Sequence, residues 1–293
     1  MNQKAFSIIG GDERCVYVAN YLHAKGYSVT VFGFDQKADF SPGIREAETL
    51  AEALRLSDYI LLPIPFSTDK STLFMPFSKT PVTVQEFCSL LIPGQTVFAG
   101  KLDPETSGLL QNKRVTIFDY GNREEFAVSN AISTAEAAIE IGMRELPVTL
   151  NGTECLVIGF GRISKILCRY LSGLGARVTA SARKHSDFSW MQAFGHKIIH
   201  TKDISSKIGK FRLIYNTVPH LLLDRTVLEK VSKNSIIIDL ASKPGGTDFS
   251  AAQNLGIPAI HALSLPGKAS PETAGKVICE TILNILSEEE VKL

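Results

Sequence analysis

At 293 residues the chain is long enough for two domains, each with a sizeable core. Its 31 basic and 30 acidic side chains leave a net charge of +1. That balance argues against a general nucleic-acid or membrane-surface binder. No stretch of about 18 apolar residues offers a membrane span. The opening MNQKAFSIIGGDE has too short an apolar run, and too early an acidic pair, for a signal peptide. The cysteines Cys15, Cys88, Cys155, Cys168 and Cys279 are odd in number and scattered, with no C-x-x-C. Reduced core thiols in a cytoplasmic protein are the expectation.

Strand-like and helix-like segments alternate along the chain, the pattern of parallel sheets with crossover helices. The first run reads as a strand at 6–11, a helix over 12–25, then strands at 28–34, 58–65, 96–100 and 115–120. Its first turn is Gly10-Gly11-Asp12-Glu13-Arg14. Two carboxylates at a helix start disfavour a phosphate and favour simple capping. This first domain, 1–128, is therefore expected to hold substrate or support an interface. Arg14 is a candidate for a substrate carboxylate, and equally an ordinary surface helix residue.

Residues 130–146 carry apolar side chains at helical spacing, with Asn130 or Ser133 as the expected cap. Ser133 and Thr134 near that start are substrate-binding candidates. Glu136 is a candidate base, although Ser133-x-x-Glu136 also fits a capping box.

Residues 154–184 carry the sharpest signal: strand, glycine turn, helix, second strand. The turn Gly159-Phe160-Gly161-Arg162-Ile163-Ser164 is a G-x-G-x-x-S. The first glycine permits the tight turn, and the second lets a pyrophosphate approach the backbone at a helix N-terminus. The second strand ends Ser181-Ala182-Arg183-Lys184. An NAD-binding fold places an acid there for the ribose 2′-hydroxyl, whereas Arg183 and Lys184 would attract a 2′-phosphate, so the turn reads as an NADP(H) site. The competing reading is a βαβ turn without ligand and a solvated basic pair.

Further strands follow at 196–200, 212–217, 235–241 and 257–262. In an open α/β sheet, ligands lie beyond the carboxyl ends of the strands. That rule selects Asn216-Thr217-Val218-Pro219, then Ala241-Ser242-Lys243-Pro244-Gly245-Gly246, then His261 and the loop through Leu265 to Lys268. These loops are expected to converge where a nicotinamide lies. Lys243 and His261 are catalytic candidates beside Glu136; Lys268 joins Arg14 as a substrate-binding candidate. A lone histidine there is equally a structural residue, and Pro-Gly-Gly equally a plain turn. No histidine or cysteine spacing suggests a metal site. A long amphipathic helix over 270–291 opens on Pro271 and Glu272, which suit a helix start. Such a helix often serves an interface, so a homo-oligomer is expected. The expected architecture is α/β: two Rossmann-like doubly wound parallel-sheet domains joined by long helices, with a cleft between. The second domain spans 129–293, with 270–293 free to pack back on the first.

Taken together, IGGDER, GFGRIS, SARK, NTVP, DLASKPGGTDF (239–249) and LPGKASPETAG (265–275) resemble the family of dipicolinate synthase A subunits over essentially the full chain. The resemblance implies NADP-dependent oxidation of a dihydrodipicolinate-type precursor to dipicolinate. It also implies the flavoprotein-like B subunit of dipicolinate synthase as partner, and a place in the mother cell of an endospore former. A dicarboxylate substrate asks for Arg or Lys, with Arg14, Arg123, Lys243 and Lys268 available. Two alternatives stand beside it. One is a dehydrogenase of another small carboxylate. It is weakened, for 2-hydroxy acids, by Lys243 where an arginine is usual. The other is a non-catalytic NADP-binding subunit.

Overall fold

The computed structural model describes residues 4–36 and 39–291. Two compact units emerge: residues up to 129 together with those from 270 onward, and residues 130–269.

The first unit holds β1 (Ala5–Ile9), α1 (Glu13–Ala24), β2 (Ser28–Phe32), β3 (Arg45–Glu46), α2 (Leu50–Arg55), β4 (Tyr59–Leu61), α3 (Val84–Leu90), β5 (Thr96–Ala99), α4 (Pro104–Gln111) and β6 (Thr116–Asp119). The strands pair in parallel in the order β3-β2-β1-β4-β5-β6. Near-continuous apolar strands such as AFSII and YIL are what a sheet covered on both faces requires. Thr49, Thr83 and Asp103 cap the helices that follow them, each accepting from backbone N–H groups of the first turn.

A 22-residue helix, α5 (Glu124–Glu145), leads from the first unit into the second. It begins well before the expected caps Asn130 and Ser133. Glu124 and Glu125 occupy its first turn, matching the helix dipole. Asn130, Ser133 and Glu136 therefore lie inside the helix, where the ladder already uses the backbone N–H groups, and no capping box forms. Thr134 is buried and bonds Asn130 O at 2.9 Å.

The second unit continues with β7 (Glu154–Ile158), α6 (Arg162–Gly173), β8 (Arg177–Ala182), α7 (His185–Ala193), β9 (Lys197–His200), α8 (Ile204–Lys207), β10 (Leu213–Asn216), α9 (Arg225–Leu228), β11 (Ile236–Asp239), α10 (Phe249–Asn254), β12 (Ala259–His261) and α11 (Leu265–Ala269). Its order, β9-β8-β7-β10-β11-β12, repeats that of the first sheet. One core cluster joins Ala138, Leu167 and Met191 from α5, α6 and α7 to one face of the sheet. A second cluster joins Ile204, Leu228 and Ala252 to the opposite face.

The last helix, α12 (Pro271–Val291), packs along α1 and buries Ile278, Cys279 and Ile282 in the core of the first unit. The C-terminal helix thus packs back on the first unit, and residues 130–269 alone make up the second. All five cysteines are free and buried. No helix among the described residues is long and apolar enough to cross a membrane.

Candidate nucleotide site

The doubly wound order puts a switch point between β7 and β10, and the turn after β7 opens there. Gly161 is the N-cap of α6, at φ −82° and ψ −165°, and no side chain caps the helix. A Cβ built on Gly161 meets no atom within 4 Å. The first-turn N–H groups and the positive end of the dipole are thus unscreened by a capping side chain, which suits an anion. Gly159 has φ +97°, and a Cβ on it would stand 2.5 Å from Thr217 Oγ1, so only glycine fits. The Thr217 hydroxyl donates to Ile158 O at 2.9 Å, so Ser164 is the donor in its 2.8 Å bond to Thr217 Oγ1. Fully buried Ser164 therefore ties the helix to the loop after β10, the packing role of the third glycine in the usual motif.

A cavity of about 170 Å³ lies beside this turn, lined by Gly159, Phe160, Ala182, Arg183, Lys184 and Asp187 among others. Arg183 and Lys184 are both exposed at its rim, beyond the end of β8. Ser181, just inward of them, is fully buried; its carbonyl accepts from Gly159 N at 3.0 Å, and its hydroxyl has no partner.

A residue that the sequence motifs passed over holds two of the three strand-end loops together, and His261 joins the third to them. Asp239, fully buried at the end of β11, gathers donors on both carboxylate oxygens. Its Oδ1 receives Asn216 Nδ2 (2.9 Å) and Ala241 N (3.0 Å); its Oδ2 receives Gly246 N (2.9 Å) and Thr247 Oγ1 (2.7 Å). Asn216 uses its amide twice more, donating to Val218 O and accepting from Val218 N. A Cβ on Gly246 would lie 2.4 Å from Asn216 Nδ2 and 2.5 Å from Val218 O. Loop-to-loop packing, rather than approach to a ligand, accounts for that glycine. An aspartate closing an apolar strand was the available signal for this hub.

His261 donates from Nε2 to Ala241 O (3.0 Å) and stacks on Phe249 with ring centres 5.0 Å apart. It thereby braces the Ala241 loop and keeps Nδ1 as its acceptor nitrogen. Ser242, Lys243 and Pro219 are exposed on these loops; Lys268 is exposed on α11, where Leu265 is buried.

Other candidates fall elsewhere. Glu136 is exposed on a groove wall opposite Arg169 to Leu174, the carboxyl-terminal half of α6, whereas the open helix start is at the other end. It is not placed to act on a ligand at the strand ends. Ser133 is buried within α5. Arg14 holds Asp12 through Nε and Nη2, both at 2.8 Å, and also binds Ile64 O. Arg123 pairs with Glu125 and Glu288 at 2.7 and 2.6 Å. Neither arginine presents the free fork that a carboxylate ligand needs, because each is matched within its own unit. No group of three metal-binding side chains occurs among the described residues.

The fold and the open turn define a class: the two-domain Rossmann architecture of dehydrogenases. A transhydrogenase from Sinorhizobium meliloti shares it, at 17% identity and TM-score 0.71 over 97% of this chain and 94% of that one. An L-alanine dehydrogenase does too, at 14% identity and TM-score 0.66 over 96% and 88%. The chain is also 28% identical to the A subunit of dipicolinate synthase from Bacillus subtilis, over 96% of this chain and 95% of that protein. The crystal structure of the dipicolinate synthase A subunit from Bacillus halodurans matches at 28% identity and TM-score 0.87, over 97% of this chain and 98% of that one. Residues 5–121 match the family model for the N-terminal domain of the dipicolinate synthase A subunit. The chain thus resembles the dipicolinate synthase A subunits over nearly its whole length, as its motifs do.

Proposed function

We propose that this chain oxidises a dihydrodipicolinate-type precursor to dipicolinate with NADP⁺, alongside a flavoprotein-like B subunit, in the mother cell of a sporulating bacterium. The uncapped α6 start, with exposed Arg183 and Lys184 at the end of β8, carries the reading. It stands on a chain that resembles the A subunit of dipicolinate synthase throughout. The donor set fits a nicotinamide dinucleotide phosphate. Backbone groups of Gly159, Gly161, Arg162 and Ile163 would cradle the pyrophosphate. Ser181 would face the ribose side, and Arg183 and Lys184 would hold the 2′-phosphate. Asn216, Thr217, Val218, Pro219, Ala241, Ser242 and Leu265, shaped by Asp239, would hold the nicotinamide end. The bound cofactor supplies a hydride acceptor.

The substrate loses one hydride and one proton, and the gain of a pyridine ring drives the step downhill. Lys243 and Lys268 are the cations that meet its two carboxylates. His261 Nδ1 is the group assigned to carry the proton, with Nε2 holding the ring in place.

The experiment mixes the purified chain with enzymatically generated precursor and either NADP⁺ or NAD⁺, with and without the B subunit. Dipicolinate is followed by mass spectrometry. The expected result is dipicolinate with NADP⁺, with NADPH binding weakened about 100-fold in Arg183→Asp, as loss of a charged hydrogen bond and added repulsion require. An absence of cofactor reduction even with the B subunit, despite tight NADPH binding, would leave a nucleotide-binding protein without chemistry.

A further inference from the structure

The apolar face of the C-terminal helix, the natural first choice for an interface, is already covered by α1. A large uncovered apolar surface of the second unit lies instead between α5 and α6. A groove of about 830 Å³ runs there, with Ile139 and Met143 on one wall and Tyr170 and Leu174 on the other. Met143 is 54% exposed, Leu174 47%, and Ile132 further along the α5 stripe 39%. Large side chains at helical spacing, wet on a folded unit, mark a contact surface.

The topology fixes how the walls align. Helices α5 and α6 both connect to β7, one before it and one after, so each runs back along the strand and the two are parallel to each other. Met143 and Leu174 lie near the carboxyl ends of their helices, at the same end of the groove. Glu136 and Arg169 lie further toward the other end, on opposite walls. Arg144 is satisfied by Glu140 in its own helix at 2.6 Å. Among the described residues, neither Glu136 nor Arg169 has an ion-pair partner.

We propose that this groove is where a second copy of the chain docks, about a two-fold axis lying along it. Rotation about that axis sets the α5 wall of one copy on the α6 wall of the other. Met143 then meets Leu174, and Glu136 meets Arg169, each contact occurring twice. A surface with an apolar centre and one unpaired charge of each sign on opposite walls complements itself in this way, as an isologous interface must. A partner of different sequence would not need both signs so arranged.

The test is the mass of the full chain alone, by light scattering and sedimentation at micromolar concentration. At least two chains per particle are expected. Met143→Asp with Leu174→Asp should halve the particle, and Glu136→Arg should weaken association by about tenfold or more. Combining Glu136→Arg with Arg169→Glu should restore it, because the swapped pair meets itself again. All four positions are solvent-accessible, and circular dichroism checks the fold; if the aspartate pair does not fold, the charge swap decides. A wild-type chain that stays monomeric, an assembly indifferent to the aspartate pair, or a swap that fails to restore association would each overturn the proposal.

Discussion

The two sheets share one strand order, yet the turns at their switch points are finished in opposite ways. After β1, Asp12 caps α1 and is itself held by Arg14, Gly11 N donates to Phe74 O at 2.9 Å, and a Cβ on Gly10 would strike Met75 Cγ at 2.3 Å. The place where a phosphate would sit is filled by a carboxylate and by protein. After β7 no side chain caps α6, and Gly161 faces open space. The same contrast recurs at the neighbouring strand ends. In the first unit Gly100 packs against Ile64, with Phe66 N bonded to Gly100 O at 3.0 Å. In the second, Asp239 draws the end of β10 and the loop after β11 together around a buried carboxylate. Topology thus supplies the crevice twice, and a few residues at the helix start determine whether it can receive an anion.

Asp239→Ala leaves buried donors from Asn216, Ala241, Gly246 and Thr247 without an acceptor, at a cost of about 4 kcal/mol. Urea unfolding should show the loss in the second unit. Gly161→Asp would copy the first turn into the second. NADPH affinity should fall about 100-fold or more by fluorescence titration while thermal stability holds or rises, since an aspartate is a favoured cap. Unchanged affinity would remove the turn from the binding site. Asp12→Ala makes the converse change and should cost about 1–2 kcal/mol through loss of the cap. No second NADPH site should appear on titration, because Met75 and Phe74 still fill the space.

The smallest effect concerns a likeness. Cys15 on α1 and Cys168 on α6 are both buried, and burial pushes each thiol up to about 12 from 9.0. The folded value exceeds the unfolded one, so the stabilisation is complete below about pH 9 and disappears as pH rises toward 12. Cys168→Ser should flatten the alkaline part of a stability–pH curve while leaving its slope at pH 7 unchanged.

Much of this was legible in the chain. Apolar runs such as SIIID and CLVIG betray doubly covered strands, and GFGRIS followed by SARK marks the open turn and its cations. The start of α5 was not legible, because Ser133-x-x-Glu136 imitates a capping box while Arg123-Glu124, where the helix begins, contains no residue of the usual capping type. Nor was β3, whose two residues Arg45 and Glu46 are both exposed and show no alternation. Arg14 and Arg123 looked free because their partners are a near neighbour's carboxylate, Asp12, and one 165 positions away, Glu288. Asp239 showed its acid but not its donors, which come from separate loops.

The return of α12 to the first unit also bears on how the molecule is made. Chain emerging from a ribosome offers residues 1–129 first, but that unit cannot close its core until Ile278, Cys279, Ile282 and Ile285 have followed. Residues 130–269, an unbroken segment, are free to fold before then. The unit begun first is therefore completed after the second, and until residues 278–285 have emerged the apolar face of α1 stands bare.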